Sequence, residues 1–175
     1  PITNHGYFDA SSNPDQIRTW WESYPDANIG LVTGKEANLV VIDVDVKNDV
    51  DGMESLEHLQ IECGDFDTLM VSTPSGGRHY YFKYPQGNDN IKCMAGLRPG
   101  IDIRSNGGYI MAPGSSIDGN PYTFEDKNKE IAELPKKLHK ILINGKLKTG
   151  TKNRSLAQIN HVSQKSSPMG IKEGL

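Results

Sequence analysis

One stretch limits the fold of this chain more than any other: Leu39-Val40-Val41-Ile42-Asp43-Val44-Asp45-Val46. Its β-branched, apolar character predicts a strand. Alternate side chains of a strand share a face, so Val40, Ile42, Val44 and Val46 point into a core. Asp43 and Asp45 then point the other way with Val41, about 7 Å apart along the strand. Two carboxylates flanked by valines repel each other, and burial raises the penalty unless a cation compensates. Oxygen-only ligands at this spacing suit Mg²⁺ or Mn²⁺. The plain alternative is an edge strand with a solvated polar face. Asn48, Asp49 and Asp51 follow closely and read as loop solvation rather than ligands.

Around this strand the pattern is that of a mixed α/β domain. At 175 residues and 35% apolar content the chain fits one domain, or one domain with an appendage. Asn13, Pro14 and Asp15 form a helix start, and Ile17, Trp20, Trp21 and Tyr24 fall on one helical face before Pro25. The adjacent Trp20 and Trp21 are therefore expected in the core rather than as base-stacking platforms. Residues 28–34 read as a short strand ending in Gly34. Met53, Leu56, Leu59 and Ile61 give residues 51–63 an amphipathic helical pattern. Residues 68–84 read as a hairpin turning at Pro74-Ser75-Gly76-Gly77. Residues 85–98 read as an exposed loop, and Asn106-Gly107 as the turn of a hairpin between 100–105 and 108–112. Residues 117–121 read as another turn, with a last short strand at Tyr122 to Phe124. A helix follows Pro135, with Leu138, Ile141 and Leu142 on one face and a stop near Gly145.

Two further elements carry chemical groups. Ser72-Thr-Pro-Ser75-Gly76-Gly77-Arg78-His79 pairs a Gly-rich turn with a guanidinium and an imidazole. Exposed backbone N–H groups in such a turn can cradle an anion, though the same residues also make an ordinary hairpin. In Ile101-Asp102-Ile103-Arg104 the isoleucines face one side and Asp102 and Arg104 the other. Together the three strands supply three carboxylates, one His and two Arg, the inventory for holding a nucleoside triphosphate through metal ions.

In their order and content these elements resemble the bifunctional primase–polymerase domain of the archaeo-eukaryotic primase superfamily. Its pattern of an hhhDhD strand, a small-x-His strand and an hD strand is matched by Val41-Ile42-Asp43-Val44-Asp45, Gly77-Arg78-His79 and Ile101-Asp102. Trp20-Trp21 before Pro25, residues 28–34, Thr73 to Gly77, and Gly107-Gly108-Tyr109 through Ala112-Pro113-Gly114-Ser115 also look like that family, so the resemblance spans roughly residues 4–125. It implies an α+β fold: an RNA-recognition-type mixed or antiparallel sheet as catalytic core, with an N-terminal α/β unit. It implies template-directed nucleotidyl transfer in replication, as a DNA primase, a DNA polymerase or both. By position Asp43, Asp45 and Asp102 would be catalytic and hold two divalent ions, Mg²⁺ or Mn²⁺. His79 would contact the incoming triphosphate. Beyond the resemblance, the residues themselves add Ser75, Gly76, Gly77, Arg78 and Arg104 to the expected nucleotide pocket. The expected partners are nucleoside triphosphates, a single-stranded DNA template and its primer, and a helicase domain or protein beyond the C-terminal end. Some relatives insert a zinc-binding element. Two cysteines, Cys63 and Cys93, cannot supply a four-ligand zinc site alone, so no structural zinc is expected.

Charge and length complete the expectations. Residues 1–126 hold 8 Lys and Arg against 19 Asp and Glu, a net of −11. Residues 127–175 hold 11 against 3, a net of +8. An acidic body with a basic tail differs from a DNA-coating protein, which is basic throughout. The longest apolar run is four residues, Leu39 to Ile42, so no membrane partner is expected and the setting is read as cytoplasmic. Pro1 in place of Met suggests a truncated N-terminus. The primase–polymerase domain is placed at residues 1–145, and residues 146–175 are read as a basic linker or the start of a following helical domain. Two other classes remain: a sugar-nucleotide glycosyltransferase, which also uses Asp-x-Asp with a metal, and a non-catalytic module that binds single-stranded DNA. The first leaves the small-x-His and hD strands unexplained, and the second has no need of Asp43 and Asp45.

Overall fold

The computed structural model describes residues 2–47 and 50–144. A 3-10 helix at Gly6–Asp9 and α1 (Pro14–Ser23) lead to β1 (Gly30–Val32) and β2 (Leu39–Val44). The short strands β3 (Val46–Lys47) and β4 (Val50–Asp51) precede α2 (Gly52–Cys63). Next come β5 (Met70–Ser72), β6 (Arg78–Lys83), β7 (Met94–Arg98), β8 (Ile101–Arg104) and β9 (Tyr109–Met111). β10 (Ser116–Ile117), β11 (Asn120–Pro121), β12 (Thr123–Phe124) and β13 (Ala132–Glu133) end in α3 (Lys136–Asn144).

The main sheet has seven strands, in the order β12-β5-β6-β2-β8-β7, with β13 added beside β6. Its strand pairs are antiparallel except β13–β6. β2 lies between β6 and β8 and is buried at all six positions. One face of the sheet, through Val40, Ile42, Val44, Tyr80, Phe82, Ile101 and Ile103, packs in one core with residues of α2 and α3. Leu56, Leu59 and Cys63 of α2 and Leu138, Ile141 and Leu142 of α3 fill that core. On the other face Leu39, Val41, Val71 and Tyr81 form a smaller cluster with Ile110 of β9. β9 pairs with β1, so the N-terminal α/β unit covers this face at its Leu39 and Val41 end. The architecture is the expected mixed α/β one: an N-terminal α/β unit joined to a largely antiparallel sheet.

Several local expectations are corrected. β2 stops at Val44 rather than running to Val46. The chain turns out of the sheet at Asp45, whose N–H donates to the Gly100 carbonyl at 2.8 Å and whose carbonyl accepts from Gly52 at 3.0 Å. Trp20 and Trp21 are only half-buried, and α1 buries no residue. Its Trp20, with Tyr24 just beyond the helix, lines a hollow together with Ile2 and Thr3 of the N-terminal segment. Ile61 is 77% exposed, because its position on α2 lies about 140° around the helix from Leu56. Residues 85–98 are not all loop: Ile91 and Leu97 are buried, and β7 pairs with β8 through an irregular register. Asn106-Gly107 makes its turn, but no hairpin joins β8 to β9. The Asn106 side chain is bound to Lys35 N–H, Tyr84 and Asn90, and the chain passes into the β1–β9 ribbon. The proposed stop at Gly145 and the tail at 146–175 lie outside the described residues.

Gly77 explains the small residue two positions before His79. A Cβ there would lie 2.2 Å from the Val44 carbonyl oxygen. Gly76, by contrast, has φ +86° with open space around it. Gly77→Ala should therefore destabilise the domain by about 1–3 kcal/mol through overpacking against β2. Gly76→Ala meets only the left-handed backbone penalty of about 1–2 kcal/mol. Urea unfolding of both variants checks this, and a fully neutral Gly77→Ala would contradict it.

Candidate functional site

β-sheet register builds the site. Asp43 of β2 stands opposite His79 of β6 on one side and Asp102 of β8 on the other. Three neighbouring strands thus place Asp102, Asp43 and His79 in one row on one face. Asp45, just beyond the end of β2, joins the row's acidic end. One carboxylate oxygen from each of Asp43, Asp45 and Asp102 lies within 4.8 Å of the others. Three hard oxygen donors at this separation are able to hold a divalent cation.

Asp43 is 9% exposed and cannot stand alone in that environment. Its Oδ1 lies 3.3 Å from His79 Nε2. Its Oδ2 accepts from Arg104 twice, from Nε at 3.0 Å and Nη2 at 2.9 Å. Burial raises the Asp43 carboxyl, but hydrogen bonds and attraction from His79 and Arg104 outweigh it and hold the group below the usual carboxylate range. Arg104 Nη2 also donates to Asp102 Oδ2 at 3.0 Å, and Asp102 Oδ1 accepts from Gly96 N–H at 2.7 Å. Burial alone would lower the Arg104 guanidinium, yet Asp43 and Asp102 hold it above its usual value.

The row opens into a cavity of about 770 Å³, large enough for a nucleotide-sized ligand. Asp43, Asp45, His79, Ser75 and Arg104 line it. Gly77 is buried against β2, and Gly76 sits exposed at the turn. Arg78 is not brought to the cavity: strand alternation sends it to the Tyr80 face, where its Nη1 lies 3.3 Å from the Tyr80 hydroxyl. Asp51 caps α2 instead of facing the site, and Asn48 and Asp49 lie outside the described residues. Lining residues not singled out from the sequence include Tyr7, Thr73, Cys93, Asp118 and Tyr122. They come from the 3-10 helix and from connections between strands, whose approach to the sheet no local periodicity signals. His79 Nδ1 and the Tyr81 hydroxyl are buried with no hydrogen-bond partner among the described residues. His79 also packs against the Tyr122 ring, with centroids 5.8 Å apart.

The depressed Asp43 carboxyl sets a pH dependence. Its contribution to stability is complete above the ordinary aspartate pKa of about 3.9 and is lost as the pH falls through the lower folded value. Urea unfolding at stepped pH should show a steeper acid loss in the native protein than in Asp43→Asn. Identical slopes would contradict the pairing.

Among the described residues no helix is long and apolar enough to cross a membrane. Comparison with curated proteins finds no match. The family profile described as bifunctional DNA primase/polymerase, N-terminal, matches residues 1–137, a span that contains β2, β6 and β8 and every acid of the cluster. With that match added to the convergence of its three carboxylates, the chain belongs to the bifunctional DNA primase/polymerase family.

Proposed function

We propose that this domain is a template-directed nucleotidyltransferase of replication, a DNA primase, a DNA polymerase or both, working inside the cell with two divalent ions, Mg²⁺ or Mn²⁺. The observation that carries this reading is the convergence of Asp43, Asp45 and Asp102, the first two of which line a nucleotide-sized cavity. Asp43, Asp45 and Asp102 would hold the ions. When bound, such ions lower the pKa of a primer 3′-hydroxyl and neutralise the departing pyrophosphate. In the reaction the 3′-hydroxyl loses its proton to solvent, its oxygen bonds to the α-phosphorus, the bond from that phosphorus to the α–β bridging oxygen breaks, and pyrophosphate leaves. His79, fixed by its place beside Asp43, faces the triphosphate. Ser75 and the backbone of Gly76 and Gly77 border the phosphate chain from the β5–β6 turn, and Arg104 supplies a fork of donors to its oxygens. A single-stranded DNA template and its primer lie across the same face.

Primer extension on a single-stranded template tests this. Asp45→Ala and Asp43→Ala should each lower the rate by about 10³-fold or more, with activity absolutely dependent on divalent ions. Native rates in either variant would overturn the assignment. So would transfer from a sugar nucleotide to a sugar without nucleotide incorporation. The acidic body also implies weak, salt-sensitive template affinity. Fluorescence anisotropy with labelled single-stranded DNA reads it, and tight binding that survives high salt would contradict it.

A further inference from the structure

The nitrogen that bridges the acids is the most constrained atom of the site. Arg104 Nη2 lies 2.9 Å from Asp43 Oδ2 and 3.0 Å from Asp102 Oδ2, so a single donor sits between two of the three carboxylates that form the cation cluster. The remaining oxygens of those two groups are also engaged. Asp43 Oδ1 faces His79, and Asp102 Oδ1 accepts the Gly96 N–H. A Mg²⁺ ion needs its oxygen ligands at about 2.0–2.1 Å and tolerates little distortion. A cation drawn to both Oδ2 atoms therefore meets a second positive charge already in contact with them. Among the described residues lining the cavity, Arg104 carries the only guanidinium, and no lysine lines it.

We infer that Arg104 is an internal competitor for the metal centre: its guanidinium and a divalent cation exclude each other from the Oδ2 atoms of Asp43 and Asp102. The inference rests on the metal-dependent reading above and adds a coupling to it. With Arg104 engaged, the buried Asp43 charge is compensated and the sheet is stable. When a cation takes those oxygens, the guanidinium is released on the cavity side, where a phosphate chain is its natural partner. Cation binding and phosphate binding then favour each other, with a coupling that is the same from either side. A centre arranged this way discriminates against a cation arriving without its nucleotide.

Direct titration of the protein with Mn²⁺ alone, read by electron paramagnetic resonance of the free ion, tests the competition without catalysis. Arg104→Met should bind Mn²⁺ about 10- to 100-fold more tightly than the native protein, matching the charged hydrogen bonds removed. Arg104→Lys, which keeps the charge, should stay near the native affinity. Equal or weaker binding in Arg104→Met overturns the competition. If the native protein still binds Mn²⁺ and Asp45→Ala abolishes that binding, such a failure leaves the metal centre standing. Absence of Mn²⁺ binding in both the native protein and Arg104→Met overturns the centre and the competition together. A second readout needs no variant. In the native protein, saturating Mg²⁺ should move the Arg104 side-chain Nε–H resonance, and an unmoved signal at saturation would also overturn the proposal.

Discussion

Asp43 is a charge in the middle of a β-sheet, and the site is organised around making that tolerable. A strand buried at every position leaves little solvent to stabilise a carboxylate, so its charged partners come from the flanking strands. Antiparallel register delivers them: His79 from one neighbour, and Asp102 with Arg104 from the other. The same three strands that form the core on one face gather acids and cations on the other. Removing the charge would leave His79 and Arg104 without their partner and would also remove a carboxylate able to hold a divalent ion. The paired charge thus supports the sheet and belongs to a cluster of three carboxylates able to hold a divalent cation.

Close backbone contacts hold this arrangement in place. Gly77 brings the β5–β6 turn against the Val44 carbonyl, immediately after Asp43 in the chain. Gly52 starts α2 so near Asp45 and Gly100 that a Cβ would lie 2.5 Å from both carbonyl oxygens. These contacts fix where β2 ends and how Asp45 leaves it.

The central strand, both core helices and the β5–β6 hairpin were legible in the sequence because each has a strong local period or turn signal. Val40, Ile42 and Val44 alternate cleanly, and Leu138, Ile141 and Leu142 repeat on one helical face. The acidic cluster was legible too, since alternation puts Asp43 and Asp102 on faces opposite their apolar neighbours. What local pattern cannot show is pairing between distant segments. Asn106-Gly107 has the composition of a hairpin turn, yet β9 is captured by β1, some 80 residues earlier. Arg78 stands next to His79 in sequence and on the opposite face in space. Trp20 and Trp21 follow a helical stripe whose burial depends on what packs over it, which no period encodes. The hold of Arg104 on two acids at once is likewise a product of register, legible only when β2 and β8 are seen side by side.

The central claim is that the side chains at 43, 45 and 102 converge on divalent ions that grip a nucleoside triphosphate. Crystals grown with Mn²⁺ and a non-hydrolysable nucleoside triphosphate, measured at the manganese absorption edge, address it directly. The account predicts anomalous peaks bounded by the carboxylates of Asp43, Asp45 and Asp102, with the phosphate chain on the His79 side. Peaks elsewhere, or a nucleotide bound with those three carboxylates unligated, would contradict it.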